Sequence, residues 1–85
     1  MPGPKLFFDR TIDYHGFSGD DAVYHLEEAL CQYYGESILI IHGKGNGILK
    51  KRIRDFLRTS KLDITVEYGE LLNLPGGDGV TVIYT

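Results

Sequence analysis

The apolar positions along the chain alternate between the two-residue period of strands and the three-to-four-residue period of helices. A first strand is predicted from Lys5 to Tyr14, where an apolar run gives way to alternation. Ser37 to Ile41 is a continuous, mostly β-branched run, which is typical of a strand covered on both faces. Asp63 to Tyr68 and Gly79 to Tyr84 have the pattern of two further strands.

Two amphipathic helices are predicted between these strands. The first runs from about Gly19 to Tyr33 and follows Ser18, a capping residue. The second runs from Ile48 to about Ser60 and carries basic residues on its outer face. The order β-α-β-α-β-β predicts one α/β domain, a two-layer sandwich of two helices on a four-stranded mixed sheet. Residues 1–5 are expected to be a linker ahead of a domain that spans residues 6–85.

Composition places the chain among ordinary globular domains. Its 85 residues are 42% hydrophobic and 25% charged, which disfavours a disordered or collagen-like chain. The single cysteine, Cys31, cannot close an intrachain disulfide and is expected to be partly buried. The sequence has neither a membrane-length apolar run nor a secretory signal pattern, so we expect a cytoplasmic protein without a membrane partner. It has no obvious second apolar face, and we therefore expect a monomer.

The net charge of −3 hides a strong asymmetry. Between Lys44 and Lys61 the chain has seven basic residues and one acid, a net +6, whereas the remainder carries −9. A basic segment in an acidic protein can hold an anion on one face of the molecule. The alternative is a solvated basic helix face without a ligand, and charge alone does not choose between the two.

The clearest local motif is the glycine loop after the second strand, His42-Gly43-Lys44-Gly45-Asn46-Gly47. A strand, a glycine turn and a helix N-terminus together present unpaired backbone N–H groups, which bind phosphate. The loop lacks the Lys-Ser/Thr pair of a Walker A loop, and Ile48 stands where a dinucleotide fingerprint needs its third glycine. The motif therefore favours phosphate binding over ATP or NAD binding, with a tight connection as the alternative.

Three polar side chains are predicted to meet where the first two strands end. Asp13 and His15 share a strand face, and right-handed crossovers bring His42 to the same end of the sheet. Asp13 could fix the tautomer of His15 as a general base while His42 protonates a leaving group, or the trio could hold a divalent metal. In the structural alternative, the aspartate caps a turn and the histidines bond to the backbone. His25 is expected to face solvent.

These motifs resemble those of the Smr (small MutS-related) domain family. Residues 12–16, Ile-Asp-Tyr-His-Gly, match the family's Leu-Asp-Leu-His-Gly motif, and residues 42–45, His-Gly-Lys-Gly, match its His-Gly-x-Gly motif. Residues 76–83 resemble its closing glycine-rich turn and strand. Tyr14 departs from the usual leucine but keeps apolar bulk. The three motifs occur in the family's order and cover nearly the whole chain from residue 10 onward.

The resemblance implies a fold similar to the C-terminal domain of translation initiation factor three. It also implies nucleic-acid binding, often with endonuclease (nicking) activity on DNA or RNA, and a link to DNA repair through suppression of recombination. Smr domains occur alone or as the C-terminal domain of the second bacterial MutS paralogue, and some members act in ribosome rescue. The implied partners are therefore nucleic acid, the ribosome or the rest of a MutS-like chain.

Joining the motifs to the charge pattern gives a nuclease hypothesis. The phosphodiester lies against the glycine loop, and His15 oriented by Asp13, or a Mg²⁺ or Mn²⁺ ion held by both, activates water or a ribose hydroxyl. The expected catalytic residues are Asp13, His15 and His42. The expected nucleic-acid-binding residues are Gly43, Lys44, Gly45, Asn46, Gly47, Lys50, Lys51 and Arg54.

Two alternatives without catalysis stay open. A binding module would use the basic helix and the glycine loop while Asp13 and His15 only shape the strand end. A docking module would present the segment from Leu71 to Pro75 to a protein or to the ribosome, because three leucines near the surface are unusual in an idle loop. The structural alternative is that these leucines cover the edge of the core.

Overall fold

A computed structural model describes residues 7–85, which form a four-stranded sheet with two helices packed on one face. The elements in chain order are β1 (Arg10–Asp13), α1 (Gly19–Gln32), β2 (Ser37–Ile41), α2 (Ile48–Thr59), β3 (Thr65–Tyr68), a 3₁₀ turn (Gly77–Gly79) and β4 (Val80–Tyr84). The predicted α/β class, element order and mixed sheet are confirmed.

The sheet has the strand order β1-β2-β4-β3. β1 runs parallel to β2, and β4 runs antiparallel to both β2 and β3. In the parallel pair Asp13 lies opposite Ile41. Because parallel strands end on the same side of a sheet, the residues that follow β1 and β2 come together there, as the sequence predicts.

The two helices cover one face of the sheet with an apolar core. Ser18 begins α1 as predicted, because its Oγ accepts a hydrogen bond from the N–H of Asp21 at 3.1 Å. Burying one leucine such as Leu26, which has no exposed surface, stabilises the fold by about 1.5–3 kcal/mol. The buried members of this core are Tyr14, Ala22, Leu26, Leu30, Ile38, Ile40, Ile53, Leu57 and Ile83. In the described part of the chain, neither helix is long and apolar enough to cross a membrane.

The loop between β3 and β4 covers part of the opposite face. Leu74 is 8% exposed and forms a second cluster with Val80 and Val82, against which Leu72 packs. These two leucines therefore cover the core, as the structural alternative predicts. Leu71 differs, since 79% of it is exposed.

The structure corrects several element ends and one side chain. β1 begins at Arg10, so residues 7–9, which were predicted to belong to this strand, precede it. Phe7 is 84% exposed. The predicted linker, residues 1–5, and Leu6 lie outside the described residues. The predicted start of the first strand at Lys5 falls among them. β3 begins at Thr65, two residues later than predicted. Cys31 is exposed because it lies beside the buried stripe of α1 and not within it.

Candidate functional site

Asp13 and His15 form a hydrogen-bonded pair where β1 ends. Oδ1 of Asp13 accepts the backbone N–H of His15 at 3.0 Å and lies 2.7 Å from Nδ1 of its ring. The backbone bond, and then the ring bond, hold the pKa of the Asp13 carboxyl below its usual value. An ionised carboxylate only accepts, so it selects the ring tautomer with the proton on Nδ1. Nε2 then keeps a free lone pair on a side chain that is 72% exposed.

The glycine loop lies directly beside this pair. A Cβ atom placed on Gly43 would lie 3.6 Å from Cβ of His15. Gly43, Gly45 and Gly47 have φ angles of 79°, 39° and 82°, a region that favours glycine. The loop therefore requires glycine to follow this path, and the space between Gly43 and His15 would hold a Cβ atom in ordinary van der Waals contact.

Part of the loop backbone is hydrogen-bonded within the fold. Gly43 donates its N–H to the carbonyl of Gly79 at 3.0 Å, and Gly47 donates its N–H to the carbonyl of Lys44 at 3.1 Å. Both N–H groups were expected to meet phosphate. They instead hold the loop against the turn that precedes β4 and close the loop upon itself.

The middle of the loop presents open N–H groups. Within residues 7–85, the backbone N–H groups of Lys44, Gly45 and Asn46 have no acceptor. The side chain of Asn46 has a separate role, because its Oδ1 accepts the N–H of Ile48 at 3.1 Å and so caps the start of α2. Three consecutive open N–H groups just ahead of a helix N-terminus can bind an anion.

His42 is buried, with only 4% of its surface exposed. Its Nδ1 lies 3.0 Å from the carbonyl oxygen of Gly43, and its Nε2 lies 2.8 Å from Oγ1 of Thr81. A carbonyl only accepts, so Nδ1 carries the proton and Nε2 accepts from the Thr81 hydroxyl. Burial, and then the charges of Arg54 and Lys50, lower the pKa of His42 and favour this neutral ring. The geometry agrees with the structural alternative for His42, since neither nitrogen is free to protonate a leaving group.

Arg54 is also bonded inside the fold, which corrects its predicted place on a solvated basic face. Its side chain is 11% exposed, and its Nε donates to Oγ1 of Thr81 at 2.9 Å. Its terminal nitrogens donate to both carboxylate oxygens of Glu70 at 2.8 and 2.9 Å. This bonding is the main cause that lowers the pKa of Glu70 to about 2. Arg54 thus supports Thr81 and, through it, His42, with most of its donors occupied before any phosphate arrives.

Lys44 and Lys50 supply positive charge to the loop and to the first turn of α2. Their Nζ atoms lie 3.8 and 3.3 Å from carboxylate oxygens of Asp78. The bond from Lys50 lowers the pKa of Asp78, which therefore stays ionised and opposes a second anion at the loop. Lys51, also predicted to bind phosphate, pairs with Asp55 at 2.6 Å on the exposed side of α2. The two lysines beside Asp78 are thus the cations best placed to meet an anion at the loop.

Asp13 and His15, the predicted metal candidates, provide two ligands. Among the residues that the structure describes, no three or more histidine, cysteine, aspartate or glutamate side chains are grouped to hold a metal ion. Catalytic zinc sites use three protein ligands. The described side chains therefore do not form a site of the zinc type, whereas Asp13 provides one of the one or two carboxylates with which proteins hold Mg²⁺ beside a substrate phosphate.

Three supporting residues were missed by the sequence analysis. Thr81 and Glu70 reach Arg54 from 27 and 16 residues away along the chain, and neither has a local signal that marks it. Asp78 stands between two glycines within the third motif. This position was the only sequence signal that could have marked Asp78 as a residue near the site. Its position beside the lysines follows only from the pairing of β4 with β2.

Residues 12–85, which include the whole site, match the family model described as the Smr domain. Proteins named Endonuclease MutS2 from Clostridium botulinum and Clostridium perfringens are each 38% identical to the chain over 82 residues. These matches cover 88% of this chain and 10% of each relative, so the chain spans about a tenth of their length. The crystal structure of the Smr domain of Thermus thermophilus MutS2 has a TM-score of 0.68 and 29% identity, covering 88% of this chain and 95% of that one.

Proposed function

The chain belongs to the Smr domain family, and from that premise we propose that it binds nucleic acid and cleaves the phosphodiester backbone as an endonuclease domain. The observation that carries the proposal is the placement of the Asp13–His15 pair beside the glycine loop, where a Cβ atom added to Gly43 would touch Cβ of His15. A general base and an anion site are the two parts that hydrolysis of a phosphodiester requires. The name of the MutS2 relatives supports the same class of reaction.

The middle of the glycine loop binds the phosphate. The N–H groups of Lys44, Gly45 and Asn46 are open and precede the positive N-terminal end of the α2 dipole. Both features favour an anion at this place. The ammonium of Lys44, whose side chain is 67% exposed, adds a mobile positive charge. Few phosphate contacts of this kind make binding weak and sensitive to salt.

His15 then acts as the general base. Its Nε2 takes the proton of a water molecule or a ribose hydroxyl as that oxygen attacks phosphorus, and Asp13 stabilises the imidazolium that forms. The bond from phosphorus to the leaving oxygen breaks, and the leaving oxygen takes a proton from solvent. Charge that develops on the phosphoryl oxygens is stabilised by the N–H groups of the loop.

His42 contributes as a positioning residue. It holds the carbonyl of Gly43 from inside the protein, and Thr81 and Arg54 hold His42 in turn. This buried chain of hydrogen bonds fixes the backbone of the loop before substrate arrives. Fixed donors cost no reorganisation during the reaction, which is the condition for strong electrostatic stabilisation.

The proposal is tested by incubating the protein with supercoiled plasmid and with labelled single-stranded RNA at low salt, in Mg²⁺, Mn²⁺ or EDTA. The native chain is expected to cut at least one substrate, and Lys44→Ala to bind it more weakly with a smaller salt dependence. Cleavage in EDTA would support His15 as the base. Cleavage that needs a metal would overturn the metal-free mechanism, and no binding or cutting of either substrate would refute the proposed function.

Asp78→Asn is expected to tighten binding of a labelled single-stranded oligonucleotide about two- to fivefold at low salt. The change releases Lys44 and Lys50 from a competing carboxylate. Fluorescence anisotropy measures the dissociation constant. Asp55→Asn is the matched control, because it removes the same charge from a pair with Lys51 farther along α2. Equal gains in both variants would show that binding responds to net charge alone.

A further inference from the structure

A cleft of about 370 Å³ lies between the end of β1 and α1. Its size falls within the range of small-ligand sites. Asp13 forms part of its wall, so the cleft opens beside the proposed reaction centre. Phe17, from the turn that follows His15, lines it together with Glu28 and Gln32 of α1.

Phe17 is held in place with part of its ring open to solvent. It is 41% exposed, and its N–H donates to the carbonyl of Tyr14 at 3.0 Å. Its ring centroid lies 5.3 Å from that of Tyr14 and 5.7 Å from that of His25, at interplanar angles of 63° and 78°. Both contacts are edge-to-face, so neither covers Phe17 with a parallel stack. An anchored, partly open aromatic ring of this kind can stack on a nucleobase.

The charges around the cleft favour a neutral base over a phosphate. Asp13 and Glu28 both line it, and a phosphate there would meet two carboxylates. Lys44 and Lys50, in contrast, belong to the glycine loop and to α2 and do not line the cleft. Arg10 lies 4.4 Å from the ring centroid of the cleft residue Tyr33, but it is paired with Glu36 at 3.1 Å. The Glu28 carboxylate accepts hydrogen bonds, and the Gln32 amide both donates and accepts them, as recognition of a base edge requires.

We propose that this cleft binds an unpaired nucleobase next to the phosphate held by the glycine loop, with Phe17 stacked on the base and Glu28 and Gln32 on its edge. The inference rests on the proposed nuclease function and narrows its substrate to single-stranded nucleic acid or to unpaired nucleotides. A base within a duplex stays in its stack and reaches such a cleft only by unpairing.

Phe17→Ala is expected to weaken binding of a labelled single-stranded oligonucleotide about 5- to 150-fold, the effect of losing one stacked base. Binding of the same sequence as a duplex should change little. Tyr34→Ala is the matched control, since Tyr34 is an aromatic residue that is 78% exposed and does not line the cleft. This control should bind both oligonucleotides as the native chain does.

A second variant reports on the contact without relying on activity or on loss of folding. The chain has no tryptophan, so Phe17→Trp introduces a single tryptophan at the cleft. Stacking of a base on this ring is expected to quench its fluorescence while affinity for the oligonucleotide is retained. An abasic oligonucleotide of the same length offers the phosphates without the bases and should not quench it.

The outcomes separate the two proposals. Quenching by the normal but not by the abasic oligonucleotide, with weakened binding by a folded Phe17→Ala chain, supports the base cleft. Native affinity in Phe17→Ala and no quenching in Phe17→Trp would overturn the base cleft, and cleavage by the native chain would still support the nuclease function. A native chain that binds neither oligonucleotide would refute the nuclease function itself.

Discussion

Replacing His15 with alanine is expected to lower the rate of phosphodiester cleavage by about 10²–10⁴-fold, the usual contribution of a general base. The side chain is 72% exposed and contacts Asp13 on the surface, so its loss should leave the fold intact. Single-turnover cleavage of the preferred substrate measures the rate, and circular dichroism with thermal unfolding confirms the fold. Unchanged cleavage in a folded His15→Ala chain would show that the activity resides elsewhere.

Two variants of Asp13 separate its charge from its hydrogen bonds. Asp13→Asn keeps an oxygen that the backbone N–H of His15 can hold in place, but it removes the charge that stabilises the imidazolium. Asp13→Ala removes both. The expected order of rates is native, then Asp13→Asn, then Asp13→Ala. Asp63→Asn, an exposed change near the opposite end of the sheet, is the control and should cleave at the native rate.

The position of the Asp13–His15 pair beside the glycine loop was predictable from the sequence, because it depends on local patterns and one topological rule. β1 ends at Asp13, so His15 lies in the turn after the strand and not on the strand face that alternation predicts, but the two-residue spacing still lets the carboxylate bond to both the backbone and the ring of His15. Parallel pairing of β1 with β2 then brings the loop beside them. Each step follows from a local spacing or from the general rule for parallel strands, and none depends on a particular side-chain contact between distant residues.

The roles of His42 and Arg54 were not predictable in the same way. His42 lies in the glycine-loop motif and Arg54 in the basic segment of α2, yet the structure turns both side chains inward to Thr81, which is 39 residues from His42 and 27 from Arg54. That contact exists only because β4 inserts between β2 and β3. His42 and Arg54 therefore support the glycine loop from inside the fold, a role that the local sequence does not indicate.

The net charge of the basic segment is larger than the unpaired positive charge that an anion would contact on the folded chain. Arg52 lies 3.1 Å from Asp20 of α1, and Arg54 bonds to Glu70 of the loop after β3. These carboxylates lie far away in the sequence and come together with α2 only in the folded chain. A charge count along the sequence could not anticipate that most of the basic side chains of α2 are already paired.

Thr81→Val is expected to lower the free energy of unfolding by about 1–3 kcal/mol. Valine keeps the shape of a side chain that has no exposed surface, but it removes the hydroxyl that bonds to both Nε2 of His42 and Nε of Arg54. Two buried polar atoms then lack a partner. Urea unfolding measures the change, and Thr65→Val, on the exposed face of β3, is the matched control with little expected effect. Equal stability of Thr81→Val and the native chain would contradict the importance of this network.

The same network predicts how stability depends on pH. Because the folded chain lowers the pKa of His42 from its ordinary value of 6.5, the unfolded chain binds a proton below about pH 6.5 that the folded chain does not. The free energy of unfolding is therefore highest, as far as His42 is concerned, above that pH. It falls as the pH decreases through the lowered pKa. Urea unfolding between about pH 8 and pH 5 should show this slope in the native chain and a shallower one in His42→Gln. Identical slopes would place the titrating group elsewhere.

The Arg54–Glu70 pair makes a separate, more acidic contribution. The folded chain lowers the pKa of Glu70 from 4.5 to about 2, so the stabilisation by this pair is present above about pH 4.5 and is lost as the pH falls towards 2. Glu70→Gln should flatten the loss of stability in this acidic window. Folding also lowers the pKa values of Asp13, Asp55 and Asp78, so the part of the acidic slope that belongs to Glu70 is the difference between the native chain and Glu70→Gln. A change near pH 6 in Glu70→Gln would show that the carboxylate and His42 titrate as a coupled pair through Arg54 and Thr81.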